Sequence, residues 1–164
     1  MTMPRKKFAS AQVKFVVPLD KARAFEQLSH PDTAVKFMLN HHSVSGVESY
    51  ELLDDNWASI GSRRRIKMNN GTQLIETIVS IENPHHFKYH LDEFTNPNKT
   101  ARSIIKTGYS QCHLSENKDG STRIEWRFAL HPHRQILLPA TWVYMKTAHR
   151  NFMKAAVKRM GRSL

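Results

Sequence analysis

The last thirty residues constrain this chain most. Between Pro139 and Arg162, Trp142, Met145, His149, Phe152, Met153, Ala156 and Met160 recur at steps of three and four. That spacing predicts one face of a helix. Lys146, Arg150, Lys154, Lys158 and Arg162, each four residues from the last, fill the opposite face. Pro139 suits a first helical turn, where its missing N–H costs nothing, and Gly161 suits a stop. The face is wide and rich in Trp, Phe and Met. It fits a broad concave surface better than a narrow coiled-coil seam.

The upstream chain reads as the sheet that supplies that surface. Val13, Phe15 and Val17 alternate with Gln12, Lys14 and Val16, a strand with one buried face, and Pro18 ends it. Asp20 is a good N-cap for a short helix from Lys21 to Leu28, and a second helical turn is expected from Thr33 to Leu39. Six strand-like segments follow: Val47 to Leu53, Trp57 to Met68, Thr72 to Glu82, a segment built on Phe87, Tyr89 and Leu91, Ile104 to Leu114 with a partial interruption at Gly108, and Ser121 to Leu130. Asn69-Asn70-Gly71 marks a tight hairpin, Asn83-Pro84 and residues 117–120 mark turns, and Thr95 to Thr100 reads as a loop. Consecutive strands with short turns imply an antiparallel sheet. A sheet of that size curls, and a long amphipathic helix can lie in its hollow. The expected fold is therefore α+β, with a curved antiparallel sheet of about seven strands around the C-terminal helix and two short helices after the first strand. No repeat, low-complexity segment or linker divides the chain, so residues 1–164 are expected to form one domain, with a basic arm over residues 1–10.

Composition bounds the function. The hydrophobic content of 40% over 164 residues is enough for one proper core. Cys112 is the single cysteine, which excludes an intramolecular disulfide. The basic N-terminus leads into no apolar segment, and no apolar run approaches a membrane span. A cytoplasmic protein, at most peripheral to a membrane, is expected. The formal charge is +11, with the basic residues spread over the N-terminal arm, Arg63-Arg64-Arg65 and the last helix. No nucleic-acid motif accompanies them. The expectation is a solvated basic exterior that makes weak contact with an anionic membrane surface and no specific contact with nucleic acid.

The segments "VKFVVPLDKARAFEQLSHP" (13–31), "WASIGSRRRIKMNNGTQLIETIVSIENPHHFKYHL" (57–91) and "KDGSTRIEWRF" (118–128) together resemble the START-like (SRPBCC) superfamily, in its polyketide cyclase/dehydrase and lipid-transport branch. The likeness spans roughly residues 11–160, and its motifs are diffuse. It implies a helix-grip fold with a cavity between the curved sheet and the C-terminal helix. Members bind sterols, lipids, hormones, polyketides or quinones, and some are enzymes. They share no catalytic motif, so the resemblance assigns no catalytic residue here.

Few residues invite chemistry. There is no nucleophile elbow, P-loop or GxGxxG. The ten histidines include the adjacent pairs His41-His42 and His85-His86, whose members point apart on an extended chain. HExxH and CxxC are absent, and the histidines are expected to be surface or loop residues, with no metal and no cofactor. His149 stands apart on the apolar face of the last helix. It is either a core histidine with one hydrogen-bond partner or a cavity group that orients a ligand or moves a proton. Glu76 lies between Leu74 and Ile78, and its plainer reading is a salt bridge to Arg63 or Arg65 across the hairpin. Inside a cavity its pKa would rise instead. Arg64 shares its direction with Ile66 and Met68, so it either bends into solvent or meets an anionic head group in the cavity. Tyr89, Tyr109 and Trp126 are packing residues or pocket walls.

The candidate cavity residues are thus Arg64, Glu76, Tyr89, Tyr109, Trp126, Trp142, Met145, His149 and Met153. The expected function is non-covalent binding, and with it transport, of a small hydrophobic ligand such as a lipid, polyketide or quinone. A cyclase- or dehydratase-type enzyme is the first alternative, with Glu76, His149 or a tyrosine as acid or base. An interaction module using its basic surface is the second. Two converging polar groups in an open cavity would favour the enzyme, a dry cavity with one polar group the carrier, and a filled cavity the interaction module.

Overall fold

The computed structural model describes residues 8–95 and 104–163. Seven strands form one sheet: β1 (Ala9–Val17), β2 (Val47–Leu52), β3 (Arg63–Met68), β4 (Gln73–Glu82), β5 (His86–Thr95), β6 (Ile105–Glu116) and β7 (Thr122–Pro132). Their order is β1-β7-β6-β5-β4-β3-β2, antiparallel throughout. Neighbours from β2 to β7 follow one another in sequence. The β1–β2 connection runs from one edge of the sheet to the other and carries α1 (Lys21–Ser29) and α2 (Thr33–Phe37). Asp20 caps α1 as its residue type demands, its carboxylate accepting from the Arg23 N–H at 3.0 Å. Gly71 turns the β3–β4 hairpin at φ +83°, a conformation that glycine adopts freely.

Several boundaries differ from the sequence expectation. β3 begins at Arg63 and not at Trp57. Residues 53–62 form a loop instead, in which the Asp54 carboxylate accepts from the Arg63 N–H and Gly61 takes φ +92°. α2 stops at Phe37, closed by the Met38 N–H on the Ala34 carbonyl. Gly108 does not interrupt β6. A Cβ there would lie 2.7 Å from the Ala129 carbonyl oxygen, so glycine lets two strands approach closely. Of the expected basic arm, residues 1–7 lie outside the described residues, and Ala9 and Ser10 already belong to β1. Most of the expected loop from Thr95 to Thr100 also lies outside them.

The last helix, α3, runs over residues 135–163. A 3-10 turn (Gln135–Leu137) leads into an α-helical stretch (Leu138–Tyr144), a π turn (Met145–His149) and a second α-helical stretch (Arg150–Ser163). Pro139 sits in the opening turn of the first stretch. Gly161 lies within the last turn and does not end the helix, since one glycine near a frayed end costs little. Lys146, Arg150, Lys154, Lys158 and Arg162 are all exposed. On the other side Met145, Met153 and Ala156 are fully buried and share one core with Ala9, Ala11 and Val13 of β1. The helix thus lies in the hollow of the sheet over its β1 side. Among the described residues no helix is long and apolar enough to cross a membrane.

Met153→Ala is expected to destabilise the protein by about 2–5 kcal/mol, because it removes a fully packed side chain at the helix–sheet contact. Urea unfolding followed by circular dichroism measures this. An unchanged midpoint would detach α3 from the core.

Candidate functional site

Because α3 leans on β1 and the adjoining part of β7, the hollow over β3, β4 and β5 stays uncovered by the helix. The gap is a cavity of about 590 Å³. Ile66, Leu74, Leu91 and Phe128 form its sheet wall. Leu137, Ala140, Thr141, Tyr144, His149 and Phe152 form its helix wall. Met38, just after α2, and the loop at Ser43–Ser45 close another side. A second, smaller cavity of about 50 Å³ lies behind it, lined by Arg64, Tyr89 and Trp126 among others. Glu76 and Phe128 line both.

Glu76 and Arg64 face each other directly across the β3–β4 ladder. Directly paired residues share a sheet face, so their side chains meet. The Arg64 guanidinium donates Nε to Glu76 Oε2 at 2.7 Å, and its Nη2 lies 2.6 Å from the same oxygen. Its Nη1 donates to the Pro31 carbonyl at 2.8 Å. Trp57, Tyr89 and Tyr50 surround the cation, the Trp57 ring centroid 4.3 Å from the guanidinium carbon. Tyr50 in turn donates to Asp32 at 2.6 Å, and that bond holds the Asp32 carboxyl below its ordinary pKa. The expected partners of Glu76, Arg63 and Arg65, point the other way. Arg63 pairs with Asp54 and Arg65 with Glu51, both near the surface. The reading of Arg64 as a solvated strand end fails for the same reason, because its parity sends it inward. In the folded chain Glu76 already occupies it, so it is not a free clamp for an anionic head group.

His149 projects from the π turn, where the Arg150 N–H reaches back five residues to the Met145 carbonyl. Its ring sits among Phe128, Tyr144 and Phe152, with centroids 4.4, 5.8 and 5.6 Å away. It is 7% exposed, and neither ring nitrogen has a hydrogen-bond partner. Burial pushes its pKa down to about 4, so the imidazole is neutral near pH 7.

The remaining candidates lie elsewhere. Tyr89 and Trp126 face the small cavity. Burial raises the Tyr89 pKa, and the Trp126 indole N–H is already bonded to Ser110. Tyr109 alternates with Gly108 and Ser110 and emerges on the outer face, against Phe8, His90 and Lys88. Met145 and Met153 belong to the packed flank of α3 and not to the cavity wall. Trp142 packs beside that flank, half-buried, under the Lys146 ammonium. The periodicity that grouped these three with His149 is real, but the helical stripe is wider than the cavity. Phe128, Thr141 and Tyr144 were not among the candidates. The parity of Phe128 with Trp126 was a usable signal for the first. Nothing in the sequence marked Tyr144, which precedes the π turn. Among the described residues no three His, Cys, Asp or Glu side chains converge as a metal site would require. Cys112 is buried and its thiol pKa raised, which keeps it protonated.

A family model described as polyketide cyclase / dehydrase and lipid transport matches residues 9–164. No curated protein matches the sequence. Among solved structures, Ara h 8.0201 superposes with a TM-score of 0.62 at 14% identity, over 91% of this chain and 95% of that one. Major latex-like protein 151 from Panax ginseng gives 0.67 at 10%, over 95% and 97%. A protein from Nitrosospira multiformis gives 0.60 at 18%, over 90% and 92%. At these identities the likeness is one of fold, and the fold is the helix grip.

Two outcomes follow from the buried groups. Glu76→Gln should cost about 3–5 kcal/mol, because it strands the Arg64 charge, whereas Arg64→Met combined with Glu76→Leu should cost less than that single change. Denaturant melts of the three proteins decide between these. His149 keeps its neutral form in the native state while the unfolded chain takes up a proton below about pH 6.5. Its contribution is therefore complete above about pH 6.5 and falls away as the pH drops towards about 4, by about 3 kcal/mol. His86, also lowered by burial, adds a slope of the same sign. Stability measured against pH should lose most of its slope in that window in His149→Phe.

Proposed function

The chain belongs to the polyketide cyclase / dehydrase and lipid transport family, and on that premise we propose that it binds and carries one small, largely hydrophobic ligand between the sheet and α3. The observation that carries this reading is the cavity itself. At about 590 Å³, with a mostly apolar lining, it falls in the range of small-molecule sites. The driving force is removal of ligand surface from water, about 25 cal/mol per Å² of apolar area. A lipid, polyketide or quinone fits that chemistry.

The enzyme reading needs two free polar groups converging on one substrate. Glu76 is held by Arg64. His149, with a pKa of about 4, is a weak base at neutral pH. Among the described residues His149 is the one buried, unpartnered polar side chain in the lining, and one such group in an apolar space supports a carrier. The open space speaks against a module that works through its surface alone. The basic stripe of α3 supports a weak, salt-sensitive contact with an anionic membrane, since residues 135–163 contain no Asp or Glu. We take the setting to be cytoplasmic, in keeping with the lone buried thiol of Cys112.

The uncharged fluorophore N-phenyl-1-naphthylamine should bind with one-site stoichiometry. Ala140, exposed at the cavity wall, is the position to block. Ala140→Trp should weaken the probe at least about tenfold while leaving the melting curve unchanged. Undiminished binding in that folded variant would move the site away from this cavity.

A further inference from the structure

Resting on the ligand-site reading, we infer that the ligand is an uncharged amphiphile that presents one hydroxyl or carbonyl oxygen to His149 and is otherwise apolar. Among the described residues, the buried side-chain polar atoms without a partner are Trp57 Nε1 and the two ring nitrogens of His149. Only His149 lines the large cavity. A buried imidazole with neither nitrogen bonded is unfavourable, and a native fold keeps such a group where something else satisfies it. The π turn that presents the ring is itself a costly irregularity of the kind found at functional sites.

The rest of the lining narrows the ligand. The Thr141 hydroxyl donates to the Leu137 carbonyl at 2.8 Å. The Ser45 hydroxyl accepts from the Asn70 N–H. Glu76 is the one charged side chain in the lining among the described residues, and Arg64 neutralises it. An ionic head group would therefore be buried without a counter-charge. The aromatic rings around His149 suit a flat or chain-like apolar body. A neutral imidazole offers one N–H donor and one acceptor nitrogen. It can donate to a carbonyl or exchange either role with a hydroxyl.

Three probes of matched shape test this with the full chain at pH 7: trans-stilbene, trans-4-hydroxystilbene and trans-stilbene-4-carboxylate, each titrated by fluorescence. The hydroxyl compound should bind about tenfold more tightly than stilbene, and the carboxylate most weakly. In His149→Phe the hydroxyl and bare compounds should bind within about twofold of each other. Should that variant not fold, the wild-type chain labelled with ¹⁵N at histidine gives the same answer. Its His149 ring signals should shift with hydroxystilbene and stay in place with stilbene. Equal wild-type affinities, a tightest carboxylate, or a hydroxyl preference that survives in His149→Phe would each overturn the inference while leaving the cavity as a ligand site. Failure of all three probes to bind would overturn both.

Discussion

Helix α3 rests on the sheet along one flank only. Met145, Met153 and Ala156 close against β1 with no exposed surface, and that contact fixes where the helix lies in the hollow. The neighbouring flank, with Thr141, Tyr144, His149 and Phe152, then faces strands it does not reach. A sheet of seven twisted strands is wider than one helix, so a single helix cannot fill the concave side. The cavity is the remainder. Its apolar lining follows from the parity of β3, β4 and β5, whose inward residues would have been core had the helix been centred.

The Arg64–Glu76 pair deals with a consequence of that geometry. Inward positions near the open side include two ionisable residues, and each alone would be a buried charge. Placed opposite one another on β3 and β4, they bond to each other, and Arg64 also reaches the Pro31 carbonyl just before α2. The guanidinium is covered by Trp57 from the β2–β3 loop. One ion pair thus joins two strands, the loop between β2 and β3 and the approach to α2. It also leaves the lining without net charge, so the hollow can stay apolar while carrying polar atoms.

His149 is the exception to that satisfaction. Its position comes from a π turn in a helix that is otherwise regular between Leu138 and Ser163. The helical stripe reads straight through this turn at steps of three and four, so the pattern of residue types gives no hint of it. A wide turn changes which side chains share a face beyond it. The division of the stripe between packed flank and cavity wall depends on that change.

The architecture is legible in local patterns of the chain. Alternation in β1, β4, β5 and β7, the glycine hairpin at Gly71, the Asp20 cap and the amphipathic final helix are local patterns. They specify a curved antiparallel sheet with a helix in its hollow, because side-chain period and turn chemistry act over a few residues. Parity also puts Arg64 on the side of Ile66 and Met68 and Glu76 on the side of Leu74 and Ile78, which already separates Arg64 from Arg63 and Arg65. What parity lacked was the register that sets Arg64 opposite Glu76. Which of several equivalent inward residues face space and which face protein depends on long-range packing. Tyr89, Trp126, Trp142, Met145 and Met153 all carry the apolar signature of the cavity wall, yet they pack elsewhere. A side chain that packs against a neighbour and one that lines a ligand cavity must both be apolar, so periodicity cannot tell the two apart. The offset of α3 towards β1 separates them, and that offset arises from contacts between residues more than a hundred positions apart.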